Sequence, residues 1–121
     1  MAAIILYIED NPNDQRLVRK ILGTRGYSLL TAPDGESGIA LAKEHKPDLI
    51  LVDIQMQGLS GLETARRLRE IEHCGNTPII ALTAYAEKYQ RSVYLEAGFT
   101  DYQQKQAGIR PLLELVERFA S

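Results

Sequence analysis

The sequence predicts an α/β fold: a doubly wound parallel sheet of five strands in the order 2-1-3-4-5, with helices on both faces. Three observations carry this. Short apolar runs alternate with stretches of helical periodicity in the pattern βαβαβαβαβα. The run Leu49–Val52 is continuously apolar, as in a strand buried on both faces of a parallel sheet. A carboxylate, Asp53, stands where that run leaves the core, the edge at which open α/β sheets bind ligands.

Ala3–Ile8, rich in β-branched residues, is the first strand. Glu9-Asp10-Asn11-Pro12 then turns the chain, with Asn11 as N-cap and Pro12 at the first helical position, where its missing N–H is not needed. Leu17, Val18, Ile21 and Leu22 recur at helical spacing, and Gly23 or Gly26 ends the helix. Tyr27–Thr31 is a short second strand. Asp34-Gly35 is turn chemistry, and Ile39, Leu41 and Ala42 mark a second helix up to His45-Lys46-Pro47. Strand three is Leu49–Asp53. A loop over Gln55–Gly61 leads to a third helix through Leu62, Ala65, Leu68, Arg69 and Ile71, broken by Gly75-Asn76. Pro78–Leu82 is the fourth strand, ending in Thr83-Ala84. A fourth helix covers Glu87–Ala97, closed by Gly98. Thr100–Gln104 is the fifth strand, and Leu112, Leu113, Leu115, Val116 and Phe119 build the last helix.

These elements make one domain over residues 1–121, a size that supports its own core. The net charge of −2 offers no electrostatic basis for binding nucleic acid or an anionic membrane. No apolar run approaches the ~20 residues of a membrane span. Ala2–Ile8 lacks the basic start of a signal peptide. Cys74 is alone, so no internal disulfide forms, and a cytoplasmic, reducing location is expected for an idle thiol.

In the order 2-1-3-4-5, strands one and three are neighbours, and the crevice between their C-terminal ends is the switch point. Glu9 and Asp10 follow the first strand and Asp53 closes the third, so three carboxylates converge there. Like charges so close call for a cation or a raised pKa. Their hard oxygens suit a divalent ion such as Mg²⁺, which commonly shares its shell with phosphate. Thr83 ends strand four and Lys105 follows strand five at the same edge, where a hydroxyl and an ammonium can donate to phosphoryl oxygens. Taken singly, each residue has a plainer reading: the acids as caps, Thr83 as a helix cap, Lys105 as a surface charge.

The stretches I-E-D-N-P after strand one, D-I-Q-M at Asp53, T-A-Y-A after strand four and D-Y-Q-Q-K at strand five occur in this order along the whole chain. In that arrangement the chain resembles a single-domain receiver of bacterial two-component response regulators, a flavodoxin-like (βα)5 fold. The resemblance implies that Asp53 accepts phosphate from a histidine kinase or histidine phosphotransfer protein. It implies that Asp10, Asp53 and the backbone carbonyl of Gln55 hold Mg²⁺, with Glu9 acting mainly through water. Thr83 and Lys105 would bind the phosphoryl oxygens, and Tyr102 would turn inward as Thr83 is drawn to the phosphate. Gln55 and Tyr85, each two positions after a site residue, would set the rate of dephosphorylation, expected to be slow or moderate.

Two departures from the family pattern stand out. Gln106 follows Lys105 where relatives have a cis-bonded Pro; a cis bond before Gln costs about 2.5–4 kcal/mol, so a trans bond or a strained loop is expected. Gln57 replaces a Pro after Met56, loosening that loop. The signal would leave through the helix 4–strand 5–helix 5 face, which carries Tyr85, Tyr89, Tyr94 and Tyr102, unless Tyr94 and Tyr89 pack beneath helix four. Two rivals share these residues. One is a degenerate receiver that binds partners without phosphorylation. The other is a dehalogenase-like, Asp-nucleophile phosphatase, although Gln55 stands where that family has a second Asp.

Overall fold

The expected strands are β1 (Ile4–Ile8), β2 (Ser28–Ala32), β3 (Leu49–Asp53), β4 (Ile79–Thr83) and the more polar β5 (Asp101–Gln104) in a computed structural model. The structure describes residues 3–55, 58–84, 90–105 and 108–120. The strands form one parallel sheet in the order β2-β1-β3-β4-β5, as expected from the sequence. Between them run helices α1 (Pro12–Gly23), α2 (Gly35–His45), α3 (Gly61–Arg69), α4 (Arg91–Ala97) and α5 (Ile109–Ala120). None of the helices among the described residues is long and apolar enough to cross a membrane.

Strand side chains alternate between faces, and this period divides the core in two. Ile5, Tyr7, Leu49, Leu51, Ile80 and Leu82 pack with Val18 and Leu22 of α1 and Leu115 and Val116 of α5. Leu6, Ile8, Ile50, Val52, Ile79 and Ala81 pack on the opposite side with Ala42 of α2, Ala65 and Leu68 of α3, and Tyr94 of α4. Every residue of β3 is buried, which is why its sequence shows a continuous apolar run.

Local chemistry sets the helix ends. Asn11 caps α1 by accepting from the N–H groups of Asn13 and Asp14 at 2.8 and 3.3 Å, with Pro12 as the first helical residue. Asp34 is a helix cap rather than part of a free turn: its Oδ1 accepts from Ser37 N–H at 2.7 Å, so α2 starts at Gly35. Ser60 caps α3. Gly61 lies so close to β3 that a Cβ there would sit 2.9 Å from Ile54 Cα. That approach keeps α3 directly behind the Asp53 strand end.

Two sequence-based expectations are corrected. Helix α3 ends at Arg69, and Ile71 lies beyond it, ahead of a 3-10 turn over Glu72–Cys74. Arg69 there donates to the carbonyls of Gly98, Cys74 and Thr77 at 2.8, 2.8 and 2.6 Å, tying the end of α3 to the α4–β5 turn. Helix α4 starts at Arg91 rather than Glu87, because Gln90 is extended (φ −70°, ψ 155°) and cannot continue a helix. Of the two readings open for Tyr94, packing beneath helix four is the one observed: it is fully buried, stacks on Tyr102 with centroids 4.8 Å apart and meets Phe99 edge-on. Cys74 is also buried, and burial pushes its thiol pKa up, as befits an unreactive thiol. Met56, Gln57, Tyr85, Glu87, Tyr89 and Gln106, with the Lys105–Gln106 bond, lie outside the described residues.

Candidate functional site

The ends of β1 and β3 are adjacent: Ile8 pairs with Val52, and Glu9-Asp10 and Asp53 follow at the same edge. A carboxylate oxygen from each of Glu9, Asp10 and Asp53 lies within 4.8 Å of the others. Asp10 is exposed, whereas Glu9 and Asp53 are buried, at 0% and 2% exposure. Two buried acids in contact with a third would repel strongly without compensation. One compensating charge is present. Lys105, immediately after β5, places its Nζ 2.9 Å from Glu9 Oε1 and 3.4 Å from Asp53 Oδ2.

Glu9 is held from several sides. Its Oε1 also accepts from Asn11 N–H at 3.3 Å, and its Oε2 accepts from the Tyr7 hydroxyl at 3.4 Å. Burial, and then proton sharing with Asp53, push the Glu9 pKa up to about 8, while Lys105 opposes the shift. The Lys105 ammonium is buried, which by itself would lower its pKa, but hydrogen bonds to Asp14 and Glu9 and the charge of Asp53 hold it above the usual lysine value. Burial, with the Glu9 charge next to it, keeps the Tyr7 hydroxyl protonated well above the ordinary tyrosine range.

Asp53 Oδ1 accepts from Gln55 N–H at 3.0 Å, which turns the chain sharply after β3. The Gln55 side chain reaches across to β4, its Oε1 accepting from Ala84 N–H at 3.1 Å. Asp53 pairs with Leu82, so Thr83, the buried last residue of β4, is the next residue along the same edge. Tyr102 pairs with Ala81 on β5 and is half-buried, packed against the core beside Tyr94. Its ring therefore already faces inward in this state. The structure thus brings together Glu9, Asp10, Asp53, Gln55, Thr83 and Lys105, with Tyr102 one strand further out.

Two participants were not legible in the sequence. Asp14, on the first turn of α1, places its Oδ2 2.9 Å from Lys105 Nζ. Tyr7 carries a hydroxyl inside an otherwise apolar strand, and such a group needs a partner when buried; here the partner is Glu9. The basic residues of α1 divide: Arg19 donates to Thr31 Oγ1 and the Leu29 carbonyl of β2, leaving Lys20 exposed beside it.

The three-carboxylate cluster offers hard oxygen donors at a strand-end crevice, a donor set that fits a hard divalent cation. Comparison with known proteins agrees with this arrangement. The model of the response regulator receiver domain family matches residues 5–117. The polar-differentiation response regulator DivK of Brucella ovis is 32% identical, covering 98% of this chain and 97% of its own length. Hybrid signal transduction histidine kinase I of Dictyostelium discoideum is 40% identical over 93% of this chain, which spans 7% of that kinase's length. Among solved structures, the receiver domain of sensor histidine kinase PA1611 from Pseudomonas aeruginosa superposes with a TM-score of 0.90 at 32% identity, covering 99% of this chain and 98% of that one. It has a magnesium ion coordinated in its active site cleft. A whole-chain match of this kind, on a fold with its acids clustered at the switch point, has one consequence: this chain belongs to the response regulator receiver domain family of two-component systems.

Proposed function

We propose that the protein is a phosphorylation-driven switch that accepts a phosphoryl group on Asp53 from a histidine kinase or histidine phosphotransfer protein. The observation that carries this reading is the placement of Asp53: a buried carboxylate at a strand end, inside the three-acid cluster and 3.4 Å from the Lys105 ammonium. An Asp53 oxygen attacks phosphorus, the new P–O bond forms as the P–N bond to the donor histidine breaks, and the bonding electrons leave with the imidazole. Lys105 stands beside the attacked group and would neutralise charge on the transferred oxygens, and the Thr83 hydroxyl would donate to one of them.

The donor set fits Mg²⁺, with Asp10, Asp53 and the Gln55 carbonyl as ligands and Glu9 acting through water. When bound, the ion supplies charge neutralisation for the phosphoryl oxygens. The protein would catalyse its own phosphorylation and dephosphorylation and no reaction on other substrates. Gln55 bears on dephosphorylation, because its side-chain oxygen is engaged by Ala84 N–H in this state; a water-orienting role requires that contact to open.

Phosphorylated Asp53 carries more charge and three acceptor oxygens, which would draw in Thr83 and reset Tyr102. The signal would then leave through the α4–β5–α5 face to a downstream protein target, with no role for nucleic acid or membrane. Its action is placed in the cytoplasm, in keeping with the lone buried Cys74. The test is intact mass after incubation with a small-molecule phosphodonor, with and without Mg²⁺. A Mg²⁺-dependent phosphate adduct that decays over time is expected; well-folded protein that never acquires one would overturn the reading.

A further inference from the structure

We infer that Asp14 is a positioning residue that holds Lys105 for the phosphoryl step, an inference that rests on the phosphoacceptor reading of Asp53. The Lys105 ammonium has three donors and three carboxylates around it: Asp14 Oδ2 and Glu9 Oε1 at 2.9 Å, and Asp53 Oδ2 at 3.4 Å. Two of these acids have a competing duty. Glu9 and Asp53 belong to the cation-sized cluster with Asp10, and Asp14 does not. Phosphorylation would esterify one Asp53 oxygen, and a bound divalent cation would compete with the ammonium for the oxygens of Glu9 and Asp53. Asp14 is then the carboxylate still committed to the ammonium alone.

Asp14 is suited to that task. It sits in the first turn of α1, where the Asn11 cap accepts from its own N–H and Pro12 stiffens the start of the helix. Its carboxylate is thereby mounted on a capped helix start, 2.9 Å from the Lys105 ammonium. Lys105 lies immediately after β5, outside any long element of its own. Of the three acids around its head group, Asp14 is the one carried on α1.

Beryllofluoride, a phosphoryl mimic, is titrated calorimetrically into Mg²⁺-saturated wild type, Asp14→Asn, Asp14→Ser and Asp14→Glu, and Mg²⁺ alone is titrated separately. The Lys105 ¹⁵Nζ resonance is recorded for each protein. Loss of one charge-assisted hydrogen bond predicts that Asp14→Asn and Asp14→Ser bind beryllofluoride about tenfold more weakly. Mg²⁺ affinity should change by less than about threefold, because Asp14 is not one of the clustered acids. Asp14→Glu should restore beryllofluoride binding, and the Lys105 resonance should move in the uncharged variants only. A merely structural role would lower the melting temperature without this split between the two ligands. Wild-type beryllofluoride affinity and an unmoved Lys105 signal in the uncharged variants would overturn the role of Asp14 while leaving the phosphoacceptor reading intact. A wild type that takes up no beryllofluoride in the presence of Mg²⁺ would overturn both.

Discussion

Lys105 Nζ lies 2.9 Å from Glu9 Oε1, an ion pair between the ends of β5 and β1 in which the Glu9 side chain is 1% exposed. The ammonium occupies the charge balance that a divalent cation would otherwise supply to the acid cluster. Lys105→Met should therefore separate two functions. Mg²⁺ should bind several-fold more tightly for want of a competing cation, while phosphorylation by a small donor should slow by on the order of 10²-fold through loss of a preorganised donor. Calorimetry and phosphorylation kinetics read the two effects independently.

Glu9 predicts the pH dependence. Its carboxyl is raised from 4.5 to about 8 in the folded protein, so the folded state binds the proton more tightly than the unfolded state does. Across that window, stability without metal should fall as pH rises, since the folded state must give up a proton that the unfolded chain has already lost. Cation binding expels the same proton, so Mg²⁺ affinity should rise with pH through about 8. Melting temperatures from pH 4.5 to 8, with and without Mg²⁺, check both signs. Glu9→Gln should flatten the slope measured without metal.

Arg69 should behave as a structural staple. Its guanidinium donates to three backbone carbonyls in two segments, the α3–β4 connection and the α4–β5 turn, and a lysine ammonium cannot reproduce that planar fork. Arg69→Lys should cost about 2–3 kcal/mol, read in urea as a lower midpoint at unchanged slope.

Tyr94 should act on stability rather than on partner binding. It is fully buried between Phe99 and Tyr102. Tyr94→Ala should cost about 3–5 kcal/mol, measured by chemical denaturation.

The strand ends were legible because each is an apolar run stopped by a polar residue, and the switch-point rule then brings Glu9, Asp10 and Asp53 together without reference to tertiary detail. Thr83 was legible for the same reason, whereas Lys105 follows a polar strand, Asp101–Gln104, and was legible through its place after the fifth strand. Asp14 was not: on α1 it reads as an ordinary first-turn acid, and only the packing of that helix beside the end of β5 makes it a partner of Lys105. Arg69 falls among the periodic residues of the third helix, but its role there was not legible, because carbonyl acceptors supplied by turns leave no periodic trace. Tyr94 was ambiguous, since helical spacing alone does not say which side of α4 is covered by β5. The start of that helix was misplaced because an extended Gln90 has no sequence marker comparable to Pro or Gly.

The central claim is that Asp53, rather than a neighbouring acid, carries the phosphoryl group. Peptide mapping after treatment with a small-molecule phosphodonor and Mg²⁺, followed by borohydride reduction of the acyl phosphate, addresses it directly. The account predicts homoserine at position 53 in the wild type and no reduced residue in Asp53→Asn. Homoserine at position 10, or an undiminished adduct in Asp53→Asn, would contradict it.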